Sequence, residues 1–164
     1  ADMLALGQAY AVYGFFPESD QCLQRAIALR PEAAANWFWS GLVLNRLGQT
    51  ARSTERLLEA ARLDPDRVDE CRYIAARNHL RDDSLAKAED EVRQIGPDHL
   101  AGQYLLAYLM VHTDRSAEAM PILDRLIARF AQVHRLYQLR ARAEELLGDD
   151  EAARRDRETA ERSV

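Results

Sequence analysis

The feature that most restricts the fold is a set of residues that return at one spacing. Gly7 recurs as Gly41, Gly14 as Gly48, Ala26 as Ala60, Leu29 as Leu63 and Pro31 as Pro65, each 34 residues on. Five ordered coincidences at one lag define a repeat, and a period of that length means stacked supersecondary units. Each repeat reads as two helices. "MLALGQAYAVYG" sets Leu4, Tyr10 and Ala11 around Gly7 at three- and four-residue steps and stops at Gly14. Pro17 suits the first turn of the next helix, where its missing N–H costs nothing. "DQCLQRAIALRPE" carries Leu23, Ala26, Ile27 and Leu29 on one stripe. Pro31 ends it, because the residue before a proline avoids the α region. Such a hairpin has an apolar side it cannot bury alone, so its neighbours must cover it.

Composition agrees with an all-α reading. Ala, Leu, Arg and Glu, all strong helix formers, dominate a 164-residue chain with only 7 Gly and 5 Pro. At 48% hydrophobic and 30% charged, the chain can bury a core and is not of the disordered class.

A helix–turn–helix unit with Trp37, Gly41, Leu44, Gly48, Ser53, Leu57, Ala60 and Pro65 at these spacings resembles the tetratricopeptide repeat (TPR) family. The first repeat matches with Leu6-Gly7, Tyr10, Gly14, Ser19, Leu23, Ala26 and Pro31. Later repeats are degraded. In the third, Cys71, Ala75 and Asn78 stand in the slots of Trp37, Gly41 and Leu44, and the second helix is expected to end early, at Gly96-Pro97. The fourth has Ala107 and Ala119 at its small positions; the fifth has Ala141, Gly148 and Ala153. Ser53 to Ala88 is 35 residues, Ala88 to Ala119 is 31 and Ala119 to Ala153 is 34. The shortfall falls in the loop after Ile95. The terminal helix, polar apart from Ala152, Ala153 and Ala160 and started by Asp149 or Asp150, reads as a capping element. The resemblance implies a right-handed α-α superhelix, a TPR solenoid of about five helix-turn-helix units. It is read as a single array over 1–164, with repeats near 1–33, 34–67, 68–98, 99–132 and 133–164.

The register also assigns "NWFWSGLVLNRLGQT". Trp37 takes the first-helix core position and is expected to wedge against the preceding repeat. Successive helical side chains diverge by about 100°, so its neighbours face elsewhere. The resemblance places first helices on the concave surface, with Phe38 facing inward and Trp39 at the border of the core. The equivalent slots are Leu4, Phe38, Arg72, Tyr104 and Gln138, then Gln8, Leu42, Ala76, Tyr108 and Arg142. The expected peptide- or partner-binding groove is therefore Phe38, Trp39, Leu42, Arg46, Arg72, His79, Tyr104, Tyr108, His112 and Arg142. Aromatic and Arg side chains are the usual anchors of such surfaces. Some TPR domains grip a peptide's terminal carboxylate with lysines, an asparagine and an arginine. Here the matching slots hold Leu4, Gln8, Trp39, Asp69 and Tyr73, which departs from that pattern. A peptide with apolar side chains and a few acids, bound at about micromolar strength, suits the groove better.

Other functions find little support. The net charge is −5 without a basic block, against the concentrated basic face that nucleic-acid or anionic-membrane binding needs. His79 and His112 make at most two ligands, and Cys22 and Cys71 fit no metal or redox spacing. The acidic pairs Glu144-Glu145 and Asp149-Asp150 suit a solvated face and a helix start. There is no Gly-rich phosphate loop and no nucleophile–base pattern. No cofactor and no metal are expected.

The chain is read as a non-catalytic protein–protein interaction scaffold. The alternative is a self-associating assembly subunit of a larger complex, a homo-oligomer; the third is an enzyme or an accessory domain of one. Its basic residues are all arginine except Lys87, a bias that suggests a bacterial source. No apolar run approaches a membrane span. The cytoplasm is the default compartment, with the periplasm the alternative if a leader has been removed.

Overall fold

The protein is described by a computed structural model covering residues 2–162. Among these residues every regular element is helical. The elements group into two compact units, one up to Ile95 and one from Gly96.

The N-terminal unit holds α1 (Met3–Val12), α2 (Phe16–Leu29), α3 (Ala34–Arg46), α4 (Thr50–Leu63), α5 (Val68–Arg81) and α6 (Leu85–Val92). Each helix packs on the next in the chain, and α1 also meets α3. The start of α1 is fixed by the Asp2 carboxylate, which accepts from the N–H groups of Leu4 and Ala5 at 3.1 and 3.3 Å. The recurring glycines have a steric cause. A Cβ on Gly7 would lie 2.8 Å from Leu23 Cγ of α2, and one on Gly41 would lie 2.6 Å from Leu57 Cγ of α4. At the same crossings Ser19 Oγ donates to the Gly7 carbonyl at 2.7 Å and Ser53 Oγ to the Gly41 carbonyl at 2.8 Å. The small positions of the repeat thus permit close approach and also bond one helix to the other.

Polar side chains seal the joints between successive hairpins. Asn36, fully buried, donates to the carbonyls of Ala26 and Arg30 at the end of α2, each of which also accepts a backbone N–H. Trp37 Nε1 donates to the Pro31 carbonyl at 2.7 Å, and the Arg56 guanidinium lies 4.8 Å from the Trp37 ring centroid. Asn78 donates to Ser53 Oγ and Thr54 Oγ1, carrying the seam from α4 to α5. In the third hairpin Cys71 and Ala75 are fully buried, as is Asn78. A three-residue 3-10 turn, Pro65–Arg67, leads into α5. The second helix of this hairpin, α6, has 8 residues against 14 in α2 and α4, and ends at Val92, before the expected Gly96-Pro97.

The C-terminal unit holds α7 (Leu100–His112), α8 (Ser116–Arg129), α9 (His134–Leu147) and α10 (Asp150–Arg162). Sequential helices pack again, with α7 also on α9. Ala107, Ala119, Ala141 and Ala153 are all buried at the crossings. The Asp149 carboxylate accepts from the Ala152 N–H at 3.0 Å and caps α10.

The turns within the hairpins share one backbone device. Gly14, Gly48 and Gly148 have φ of +82°, +75° and +85°, in the left-handed region that a glycine enters without cost. In the two degraded hairpins Asp83 and Asp114 take that place at φ +53° and +57°. Aspartate is one of the few residues that visits this region, because its short side chain bonds locally.

Candidate functional site

In the N-terminal unit the first helices α1, α3 and α5 enclose an open hollow of about 430 Å³. That volume is within the range of ordinary ligand clefts, roughly 300–1,000 Å³. Its middle is α3, which supplies Trp39, Leu42, Val43, Asn45 and Arg46. The α1 side supplies Ala11 and Val12, joined by Phe16 at the start of α2, and α5 supplies Ile74, Arg77 and Arg81. Steps of three and four residues from Trp39 to Leu42 to Arg46, and from Ile74 to Arg77 to Arg81, put each set on one helical face. The floor is apolar and indole-bearing; the rim is arginine. No carboxylate lines the hollow.

Asn45 is held in place. Its Nδ2 donates to Asn78 Oδ1, and Asn78 is itself fixed by Ser53 and Thr54. Arg77 lies with its guanidinium 5.7 Å from the Tyr73 ring centroid. Arg46, Arg77 and Arg81 are all solvent-exposed.

The residues expected to form a groove are distributed as follows. Trp39, Leu42 and Arg46 line this hollow. Phe38 does not. It is 6% exposed and packs with Leu57, Ala60, Ala61 and Cys71, under the Arg67 guanidinium at 4.7 Å. The expectation that Phe38 faces inward is therefore corrected: the helical step turns Phe38 toward α4 and α5 and leaves Trp39 at the hollow. Arg72 is ion-paired to Glu91 of α6 at 2.5 Å, with side chains 23% and 13% exposed, so it braces its own hairpin. His79 is partly buried and is not among the lining residues.

In the C-terminal unit, Tyr104, Tyr108 and His112 lie four residues apart along α7. The Tyr108 and His112 rings stack at 3.9 Å, and His112 Nδ1 donates to the Tyr108 carbonyl at 2.8 Å. Burial raises the Tyr104 phenol above its ordinary value. Arg142 lies 3.4 Å from Glu145. These side chains form an aromatic strip on α7 with a paired arginine on α9.

Ile74, Arg77 and Arg81 were missed by the sequence reading. The expected slots on α5 were set 34 residues beyond those on α3, yet the lining residues are 35 beyond Trp39, Leu42 and Arg46. A hollow between adjacent helices is lined by the trailing side of one and the leading side of the next, so a single repeated slot cannot trace it. A signal was present: α5 has one more residue before its turn, and Arg81 precedes Asp83 by two positions as Arg46 precedes Gly48.

Nucleophilic chemistry is poorly served here. Burial, and after it the Glu70 carboxylate, push the Cys71 thiol up to about 11, which keeps it protonated. Among the described residues no group of three His, Cys, Asp or Glu side chains is placed to hold a metal ion. No described helix is long and apolar enough to cross a membrane.

No protein-family model matches the chain, and no curated protein does. Solved structures do. The crystal structure of MamA protein superposes with a TM-score of 0.85 at 17% identity, over 98% of this chain and 89% of that one. YrrB, described as a TPR protein with an unusual peptide-binding site, gives a TM-score of 0.82 at 9% identity, over 98% and 84%. A tetratricopeptide repeat protein from Parabacteroides merdae gives 0.73 at 17% identity, over 99% of this chain and 64% of that one. Residues at the spacings of the repeat, helices paired through Gly and Ala crossings, and these superpositions agree: the chain has the all-α tetratricopeptide-repeat fold.

Proposed function

We propose that the protein is a non-catalytic docking module that holds a peptide or a partner's helix against its first helices. The observation that carries this reading is the hollow on α1, α3 and α5, an apolar floor that stays open to solvent inside an otherwise packed unit. A fixed amide at Asn45 and an indole at Trp39 supply what a peptide backbone and a side chain need, a polar anchor beside a desolvated surface. YrrB, of the same fold, bears a peptide-binding site by its description, which supports the class of ligand and not its place. The strip of Tyr104, Tyr108 and His112 on α7 is a further candidate contact surface.

The test is a pull-down from the source lysate with three baits: wild type, Trp39→Ala with Leu42→Ala, and Tyr104→Ala with Tyr108→Ala. Circular dichroism would confirm that each bait is folded. The reading expects the first double variant to lose partners that wild type retains. Unchanged retention by both double variants would remove the first helices from the account.

Self-association is the second reading. It is favoured by apolar side chains left in solvent at the edge of the N-terminal unit, with Val12 75%, Tyr13 78% and Leu29 71% exposed. It expects a molar mass in light scattering that rises with concentration.

A further inference from the structure

We infer that the hollow of the N-terminal unit selects an acidic peptide segment, one large apolar side chain flanked by side-chain carboxylates. This rests on the docking reading and adds the chemistry of the ligand. The argument begins with how this chain uses its arginines. In the same unit Arg62, Arg67 and Arg72 each have a carboxylate oxygen within 4 Å. Arg25, Arg52 and Arg56 of the same unit have none among the described residues but do not line the hollow; Arg46, Arg77 and Arg81 have none either. All three border one hollow, and that hollow has no acid of its own. Arg77 and Arg81 are four apart on α5, where like charges repel. An arrangement that withholds counter-ions from three neighbouring guanidinium groups, beside an apolar floor, is complementary to an anion with an apolar body. Stacking on Tyr73 limits the freedom Arg77 has to lose on binding.

The polyanion that competes for this description is a nucleic acid. It fits less well. Three arginines neutralise only about three phosphates, and the remaining surface of a chain with net charge −5 repels a strand that extends beyond them. The floor is mostly aliphatic, through Ala11, Leu42, Val43 and Ile74, which suits a hydrocarbon or aromatic side chain. Carboxylates pair with guanidinium in bidentate geometry, so a glutamate or aspartate on either side of that side chain would meet Arg46 on one helix and Arg77 or Arg81 on the other.

The experiment is fluorescence anisotropy with the full chain and labelled short peptides whose C-termini are amidated, so that no terminal carboxylate contributes. The probe has a central phenylalanine flanked by glutamates. One control replaces every glutamate by glutamine, another replaces the phenylalanine by alanine, and a labelled oligouridylate of equal length stands for nucleic acid. The glutamate peptide is expected to bind in the micromolar range and each peptide control about tenfold or more weaker. Its affinity should fall as salt rises, a reading on wild type that needs no variant. Combining Arg46→Gln, Arg77→Gln and Arg81→Gln should remove the preference for glutamate, so that the glutamate and glutamine peptides bind the variant alike. Equal affinity for the glutamate and glutamine peptides would overturn the acidic class while leaving docking intact, since the pull-down tests that separately. Tighter binding of oligouridylate than of any peptide would overturn it as well. If no peptide binds, the inference falls, and docking itself falls only if both double-variant baits also retain every partner.

Discussion

Arginine is used in opposite ways at two places, one in each compact unit. In the N-terminal unit Arg46, Arg77 and Arg81 stand around a hollow without a carboxylate. In the C-terminal unit Arg140 of α9 is enclosed by acids. Its guanidinium donates to both carboxylate oxygens of Asp156 at 2.6 and 2.9 Å and to Asp124 at 2.7 Å. Glu144 lies 3.8 Å away. The Arg140 side chain is 22% exposed and that of Asp156 only 9%, so these contacts are poorly screened by water. The Asp156 hydrogen bonds, above all, raise the Arg140 guanidinium above its ordinary value. One fold thus supports an internal lock between α8, α9 and α10 and, elsewhere, cations left for something outside the chain.

The largest expected effect tests that contrast directly. Arg140→Ala strips the cation from Asp124, Glu144 and Asp156 together, and removing one partner of a buried ion pair costs about 3–5 kcal/mol. Arg81→Ala removes a side chain with no pair, and a surface change of that kind stays within about 0.5 kcal/mol. Urea unfolding of both variants measures the difference. Equal losses at the two sites would end the distinction between lock and free rim.

A second contrast concerns how helices cross. At the equivalent positions the first two hairpins have Gly7 and Gly41, while the third has Ala75 and the C-terminal unit has Ala107 and Ala141, all three alanines buried. The Cβ that α7 and α9 accommodate would sit 2.6 Å from Leu57 Cγ if placed on Gly41, with the Leu57 backbone nitrogen at 3.3 Å. Gly41→Leu is therefore expected to overpack α3 against α4 and destabilise by about 1–3 kcal/mol. Thermal unfolding followed by circular dichroism reads it. No loss of stability would mean that α3 and α4 can separate as freely as the Ala-bearing pairs allow.

These contrasts also mark what was legible in the sequence. The hairpins were legible because their causes are local and repeat: a small residue at the crossing, a left-handed turn, a proline after the second helix. Where glycine gave way to Asp83 and Asp114, the turn persisted but its signal was lost to a residue type common on every polar surface. The inner surface was harder to read for a different reason. Phe38 and Trp39 differ by one helical step, and which of them meets solvent depends on how α4 and α5 pack around α3. Arg72 looked like a free cation because its partner, Glu91, is 19 residues away on another helix. The charge state of a groove depends on such tertiary pairs, which periodicity does not encode.

The smallest effect sharpens the picture of the lock from its acidic side. Glu144 is buried on α9, and its Oε2 has no hydrogen-bond partner. Burial first, and then the Asp156 carboxylate, raise its carboxyl above the ordinary value; Arg140 opposes this but is already committed to Asp156 and Asp124. A carboxyl that is raised on folding binds its proton more tightly in the folded chain than in the unfolded one. Its ionised form therefore opposes folding at neutral pH, and that opposition is relieved as pH falls through the raised folded value toward the unfolded one, about 4.3. Glu144→Gln removes the charge and keeps the shape. It should stabilise the protein by roughly 0.5–1 kcal/mol at neutral pH, because the ionised carboxylate no longer has to be held out of water. The advantage over wild type should shrink as the solution is acidified, and urea unfolding of both proteins across that range measures it. An advantage that did not change with pH would show that Glu144 ionises as freely in the fold as out of it. The acids around Arg140 would then be fully compensated, and the lock would hold no excess charge to set against the unpaired cations at the rim of the hollow.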